Sequence, residues 1–135
     1  MIRFDLESVQ AEVERLAQLI SARADQLPTY GTSEGSGRPH VESFASGYYY
    51  VVAERGTEHS RTPLPHKEEL LYWIFRDVSF SVASEYELKH RIPGQDSRRI
   101  LFAKNLELLE KLNPQWRERE ALRQDGILMH HPYSS

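Results

Sequence analysis

Carboxylates, histidines, serines and arginines are the side chains of this chain that could do chemistry, and their spacing decides how far each can be taken. Glu68-Glu69 and Glu85/Glu87 are paired carboxylates, but neighbours at one or two positions do not face each other on a helix, so neither pair forms an acid/base couple. The six histidines contain no pair one helical turn apart, and the rings of adjacent His130 and His131 diverge, so no metal site is expected. The chain has no cysteine, which removes thiolate nucleophiles, disulfides and Cys-based zinc sites together. No serine is read as sitting in a nucleophile elbow of the Gly-x-Ser-x-Gly kind, so a hydrolase of that type has no support. These residues give no recognisable catalytic, metal or cofactor motif, and a small hydrolase of another kind stays open as the third reading.

Three other groupings suit binding. The loop Gly31-Thr32-Ser33-Glu34-Gly35-Ser36-Gly37-Arg38 is glycine-rich, as anion-cradling loops are. Phosphate motifs need a preceding strand and a following helix, whereas here a helix precedes and Pro39 with a strand follows, so an ordinary or partner-binding loop is the better reading. Tyr48-Tyr49-Tyr50, with Arg55 and Arg61, could bind a small ligand or stack single-stranded bases, the alternative to a protein partner. Strand alternation, however, sends Tyr49 to the face opposite Tyr48 and Tyr50, so part of the triple belongs to the core. The third grouping is the polar run from Ser84 to Arg91, continued by Gln95-Asp96-Ser97-Arg98-Arg99 around a Pro-Gly break. Cations near a helix C-terminus explain Lys89, His90 and Arg91. A tyrosine, mixed charges and two adjacent arginines converging on one break suit either an ion-pair network or an interface rim.

The elements that position these groups follow from periodicity. Leu6, Val9, Val13, Leu16 and Ile20 recur at steps of three and four, predicting a helix that Asp5 caps and Leu27-Pro28 ends. Residues 29–39 read as a loop. His40–Phe44 and Tyr48–Glu54 flank Ala45-Ser46-Gly47 as a hairpin, with Glu58–Thr62 as a third, polar edge strand. Beyond Pro63 and Pro65, Leu71, Ile74, Phe75, Val78, Val82 and Tyr86 mark a long helix. It contains one strand-like alternation, Val78-Ser79-Phe80-Ser81-Val82. Asp96 can cap the next helix, whose wide apolar arc from Ile100 to Leu112 predicts the most buried one. Asn113-Pro114 starts the last helix, and the end from His130 should fray.

At 135 residues the chain fits one domain, 1–135, of α+β class, with a small antiparallel sheet of two to three strands against about four helices. Hydrophobic residues at 39 % and charged residues at 27 % are ordinary for a folded globular protein. A net charge of -3 disfavours a nucleic-acid partner, which usually meets a basic face. No apolar run suits a membrane span, and Met1-Ile2-Arg3-Phe4-Asp5 does not start like a signal peptide, so a cytoplasmic location is expected. Nothing in the pattern specifies an oligomeric state.

The runs LPTYGTSEGSGRPHVE, YYYVVAERG, ELLYWIF, SEYELKHRIPGQDSRR and LFAKNLELLEKLNPQW, between Leu27 and Trp116, resemble the immunity protein 63 family, the antidotes of bacterial polymorphic toxin systems. The resemblance implies a non-enzymatic protein whose partner is a cognate toxin domain. It supplies no contact residues. Those expected from physics are Tyr30, Glu34 and Arg38 of the glycine loop and Glu85, Tyr86 and Glu87 of the long helix, because tight interfaces depend on a few aromatics and charged pairs.

Overall fold

Asp5 opens the first helix as its carboxylate accepts the Glu7 amide at 2.9 Å. In the computed structural model, which describes residues 5–31, 38–55 and 57–134, the elements are α1 (Leu6–Leu19), a 3-10 turn (Ala24–Gln26), β1 (Thr29–Tyr30), β2 (His40–Phe44), β3 (Gly47–Glu54), β4 (Thr57–Leu64), α2 (Lys67–Lys89), α3 (Arg98–Leu112) and α4 (Pro114–His130). This is the α+β class expected. The described residues fall into two compact units, one within Met1–Gln18 and Arg23–Ile74, the other within Leu19–Ala22 and Phe75–Ser135. None of the helices among the described residues is long and apolar enough to cross a membrane.

The first unit holds the sheet. Val9, Val13, Leu16 and Ala17 are the buried face of α1, while Arg15 and Glu12 pair on its exposed side. The helix ends at Leu19, well before Leu27-Pro28: Ser21 takes a left-handed φ of 55°, and the 3-10 turn follows. The proline is therefore not what stops it.

The strands run in the order β1-β2-β3-β4. Strands β2 and β3 are antiparallel, as are β3 and β4, with an irregularity at Val52/Ala53. Four strands replace the expected two to three, because β1 lies in what reads as loop. Thr29 donates to the Pro39 carbonyl at 3.0 Å and Gly31 to the Val41 carbonyl at 2.8 Å, pairing β1 parallel to β2. A two-residue strand carries no periodicity, so only these bonds reveal it. Strand β4 is a polar edge, as anticipated, and tolerates Pro63 there because an edge position can lack an amide. Gly47, at φ 155°, is required at the β2–β3 turn: a Cβ would lie 2.7 Å from Pro65 Cα and 2.9 Å from the Leu64 carbonyl oxygen.

In the second unit Phe75 and Trp116 stack with centroids 5.9 Å apart, and Val78, Ala83, Phe102, Leu108 and Leu109 are buried. The alternating stretch from Val78 to Val82 is helical throughout, as its place within a longer three-and-four pattern implied. Helices α3 and α4 pack together, tied by Gln124 Nε2 donating to the Phe102 carbonyl at 3.1 Å. Helix α3 is not the most buried one: only Phe102, Asn105, Leu108 and Leu109 are enclosed. The apolar arc is wider than the surface covered, leaving Ile100, Leu101, Leu106 and Leu112 half-exposed. Asn113 caps α4 as expected, accepting the Gln115 amide at 2.9 Å with Pro114 at the first helical position.

Candidate functional site

The residues expected to meet a partner fall in different units. Tyr30 lies on β1, in the first unit, where it lines a recess of about 370 Å³ with Gln10, Glu14, Ala24, Leu27 and Arg38. Its hydroxyl is buried and has no hydrogen-bond partner among the described residues. Burial, and then the nearby Glu14 carboxylate, push its ionisation above the usual phenol range. Arg38 works mainly on its own chain: Nε donates to the Leu27 carbonyl at 2.6 Å and Nη2 to the Ala24 carbonyl at 2.8 Å. It thereby closes the turn before β1. Glu34 lies outside the described residues.

Glu85, Tyr86 and Glu87 lie near the end of α2, in the second unit. Consecutive helix positions diverge by about 100°, so their surroundings differ. Glu87 is buried, and its carboxylate receives Arg91 through Nη2 at 2.7 Å and Nε at 2.9 Å. That bidentate contact favours the charged form and lowers the Glu87 carboxyl below its usual range. Tyr86 is half-exposed. Its ring stacks on His90 at 4.0 Å and carries the Lys104 ammonium at 4.3 Å from its centroid. With Gln95, Arg99, Ile100, Lys104 and Glu107 it lines a cleft of about 310 Å³. Glu85 is half-exposed beside it in sequence.

The other half of the polar break clasps the chain's own end. Asp96 pairs with Arg98 at 2.9 Å and accepts the amides of Arg98 at 3.0 Å and Ser134 at 3.1 Å. Arg98 in turn donates to the carbonyls of His131 at 2.8 Å and Pro132 at 3.0 Å. Arg99 stands over the Tyr133 ring at 4.2 Å. The residues after α4, expected to fray, are instead anchored through their backbone. Arg98, then the two amides, hold the Asp96 carboxyl far below its usual range. Chain separation hides such contacts from a sequence reading.

A further network lies on the sheet and had no sequence signal, because its members are brought together by strand register. His40 Nε2 is 2.7 Å from Glu42 Oε2, Glu42 binds Arg61 at 2.9 Å, and Arg61 also pairs with Glu58. Arg61, then His40, lowers the Glu42 carboxyl below the usual range. Of the tyrosine triple, Tyr48 and Tyr50 are buried while Tyr49 stacks on Phe44 at 4.3 Å under Arg61 at 5.0 Å. One half-exposed ring already stacked intramolecularly makes a poor platform for successive bases.

Gly31-Thr32-Ser33-Glu34-Gly35 does spell Gly-x-Ser-x-Gly, contrary to the expectation drawn from the serines, and residues 32–37 lie outside the described residues. Strand β2 comes next rather than a helix, so the strand-turn-helix setting of a nucleophile elbow is missing. Among the described residues no group of three His, Asp or Glu could hold a metal ion.

The family model of Immunity protein 63 matches residues 45–125, more than half of the chain. The match contains the Tyr86 cleft and Asp96–Arg99, and leaves out the Tyr30 recess and the glycine loop. Comparison with curated proteins and with solved structures gives no match.

Proposed function

The chain belongs to the Immunity protein 63 family, and on that premise we propose that it binds a cognate toxin domain of a polymorphic toxin system and neutralises it by direct contact, without turnover of its own. Family membership is the observation that carries this reading. The proposed contact surface centres on the Tyr86 cleft, with Arg99, Lys104 and Glu107 around the tyrosine, and takes in Glu85 at the neighbouring position of α2. A half-exposed aromatic ringed by charges is the composition of an interface hot spot, where one anchored ring supplies most of the affinity and the rim supplies selectivity. Both signs of charge are present, with Lys104 and Glu107 paired at 3.4 Å, so the matching toxin surface carries charges that complement this pair.

Tyr30, Glu34 and Arg38 are a second, weaker contact in this proposal, and Glu87 acts indirectly by holding Arg91 at the helix end. The cytoplasm of the producing cell is the compartment in which such an antidote must meet its toxin. Co-expression with the toxin encoded beside it should rescue growth and give a complex that survives purification. If a verified toxic partner neither co-purifies with the chain nor is suppressed by it, the proposal is wrong.

A further inference from the structure

The residues after α4 reach the Tyr86 cleft through one side chain. His131, Pro132 and Ser134 are exposed, whereas Tyr133 among them is half-buried. The chain is fixed on both sides of it: Arg98 donates to the Pro132 carbonyl at 3.0 Å, and the Ser134 amide donates to Asp96 at 3.1 Å. A backbone held at both neighbours leaves the side chain between them little freedom to swing away. Its ring lies against α3, with the centroid 6.4 Å from that of Phe102 and 4.2 Å from the guanidinium carbon of Arg99. Arg99 in turn lines the Tyr86 cleft, and Tyr133 stands outside that lining.

The two arginines at the start of α3 are thus held to their surroundings by different means. Arg98 is paired with the Asp96 carboxylate at 2.9 Å, which neutralises it. Tyr133 offers Arg99 a neutral ring, which attracts a cation without cancelling its charge. Arginine is among the side chains that lose most rotamer freedom when a partner orders them. A ring that already restrains it removes part of that loss before the partner arrives.

We propose that Tyr133 is a positioning residue of the toxin-binding surface: its ring, anchored by the clasp of Asp96 and Arg98, holds the Arg99 guanidinium at the cleft in the arrangement the partner meets. This rests on the reading of the Tyr86 cleft as the contact. Tyr133 lies beyond residue 125, where the family match ends, so the tail adds to the matched surface a contact that lies outside it.

Tyr133→Leu keeps apolar bulk beside Phe102 and removes the ring face. It should weaken the complex with the cognate toxin roughly fivefold by calorimetry, the size of an exposed cation–ring contact. Tyr133→Phe keeps the ring and should stay within about twofold of the unaltered chain. In an Arg99→Ala background Tyr133→Leu should weaken binding no further, because the ring acts through the arginine. Without toxin, the Arg99 Nε–H resonance of the full chain should move with Tyr133→Leu, as the ring current is lost, and hold its place with Tyr133→Phe. An unmoved resonance overturns the proposal, as does equal weakening by Tyr133→Leu with and without Arg99. Tyr86→Ala, measured alongside, separates this role from the reading beneath it. If Tyr86→Ala weakens the complex and Tyr133→Leu does not, only the role of Tyr133 fails. If Tyr86→Ala leaves the affinity unchanged, the cleft is not the contact and the positioning role falls with it.

Discussion

The Tyr30 recess and the Tyr86 cleft are built from the same ingredients, a tyrosine, a cation and carboxylates, yet use them oppositely. In the recess the arginine is committed to the backbone: Arg38 donates to the carbonyls of Ala24 and Leu27, and the tyrosine hydroxyl is buried. Both tyrosines are half-exposed as residues, but in the cleft the cation lies over the ring rather than on a carbonyl. A charged side chain whose donors meet main-chain carbonyls stabilises the fold, whereas Lys104 is held by side chains alone, on the Tyr86 ring and against Glu107 at 3.4 Å. The family match encloses the cleft and omits the recess.

Arg38→Ala gives the largest effect expected on this contrast. It leaves two carbonyls without their charged donor, which should lower stability by about 2 kcal/mol in urea unfolding. Affinity for the toxin should change less than about twofold. A large loss of affinity with stability intact would make the recess, not the cleft, the main contact.

Tyr86→Ala should do the reverse. Loss of an anchoring aromatic typically costs about 2 kcal/mol of binding, roughly 30-fold in dissociation constant by calorimetry. Stability should change little, because Tyr86 is half-exposed. Lys104→Glu should weaken binding less and make it more salt-sensitive. If neither change moves the affinity, the cleft is not the contact.

The tail clasp offers a smaller, local effect. Asp96→Ala removes the acceptor for the amides of Arg98 and Ser134. Hydrogen exchange at Ser134 should accelerate to near the rate of a free chain end, while the amides of α3 around Phe102 and Leu108 keep their protection. Equal acceleration in both places would show that the clasp holds more than the tail.

Much of this was legible in the residues. Three-and-four spacing fixed α1 and α2, Asn113-Pro114 fixed the start of α4, and alternation separated Tyr49 from its neighbours. Strand β1 was not legible, because Thr29 and Tyr30 pair through bonds to Pro39 and Val41 that no local pattern announces. For the contact residues, the sequence could place Glu85, Tyr86 and Glu87 together but could not separate the buried, arginine-bound Glu87 from the half-exposed Tyr86. Nor could it bring Lys104 to Tyr86, or Asp96 and Arg98 to a tail more than thirty residues away. Helix packing and chain reversal make those contacts, and neither has a local spacing.

Both regions should lose stability at the acid end of the pH scale, and the one with the recess should lose it at the alkaline end as well. In the unit with the clasp and the cleft, Asp96 and Glu87 ionise below their ordinary range because Arg98 and Arg91 bind the charged forms. The unfolded chain takes up those protons first, near pH 4, so their contribution is complete above that value and is lost as pH falls further toward the folded values. In the other unit Tyr30 is raised by burial, so the folded state keeps its proton after the unfolded chain releases it near pH 10, and stability falls as pH rises beyond that. Tyr48 is raised in the same unit, also first by burial, and shares that alkaline loss; Glu42 adds an acid-side loss there through Arg61. Tyr30→Phe should therefore flatten the alkaline slope of stability without touching the acid one, and Asp96→Asn should flatten only the acid one. Urea midpoints measured from acid to alkaline pH provide the check. An alkaline slope unchanged by Tyr30→Phe would mean that the phenol is already solvated in the folded protein, which would raise the recess from a secondary contact to one as accessible as the cleft.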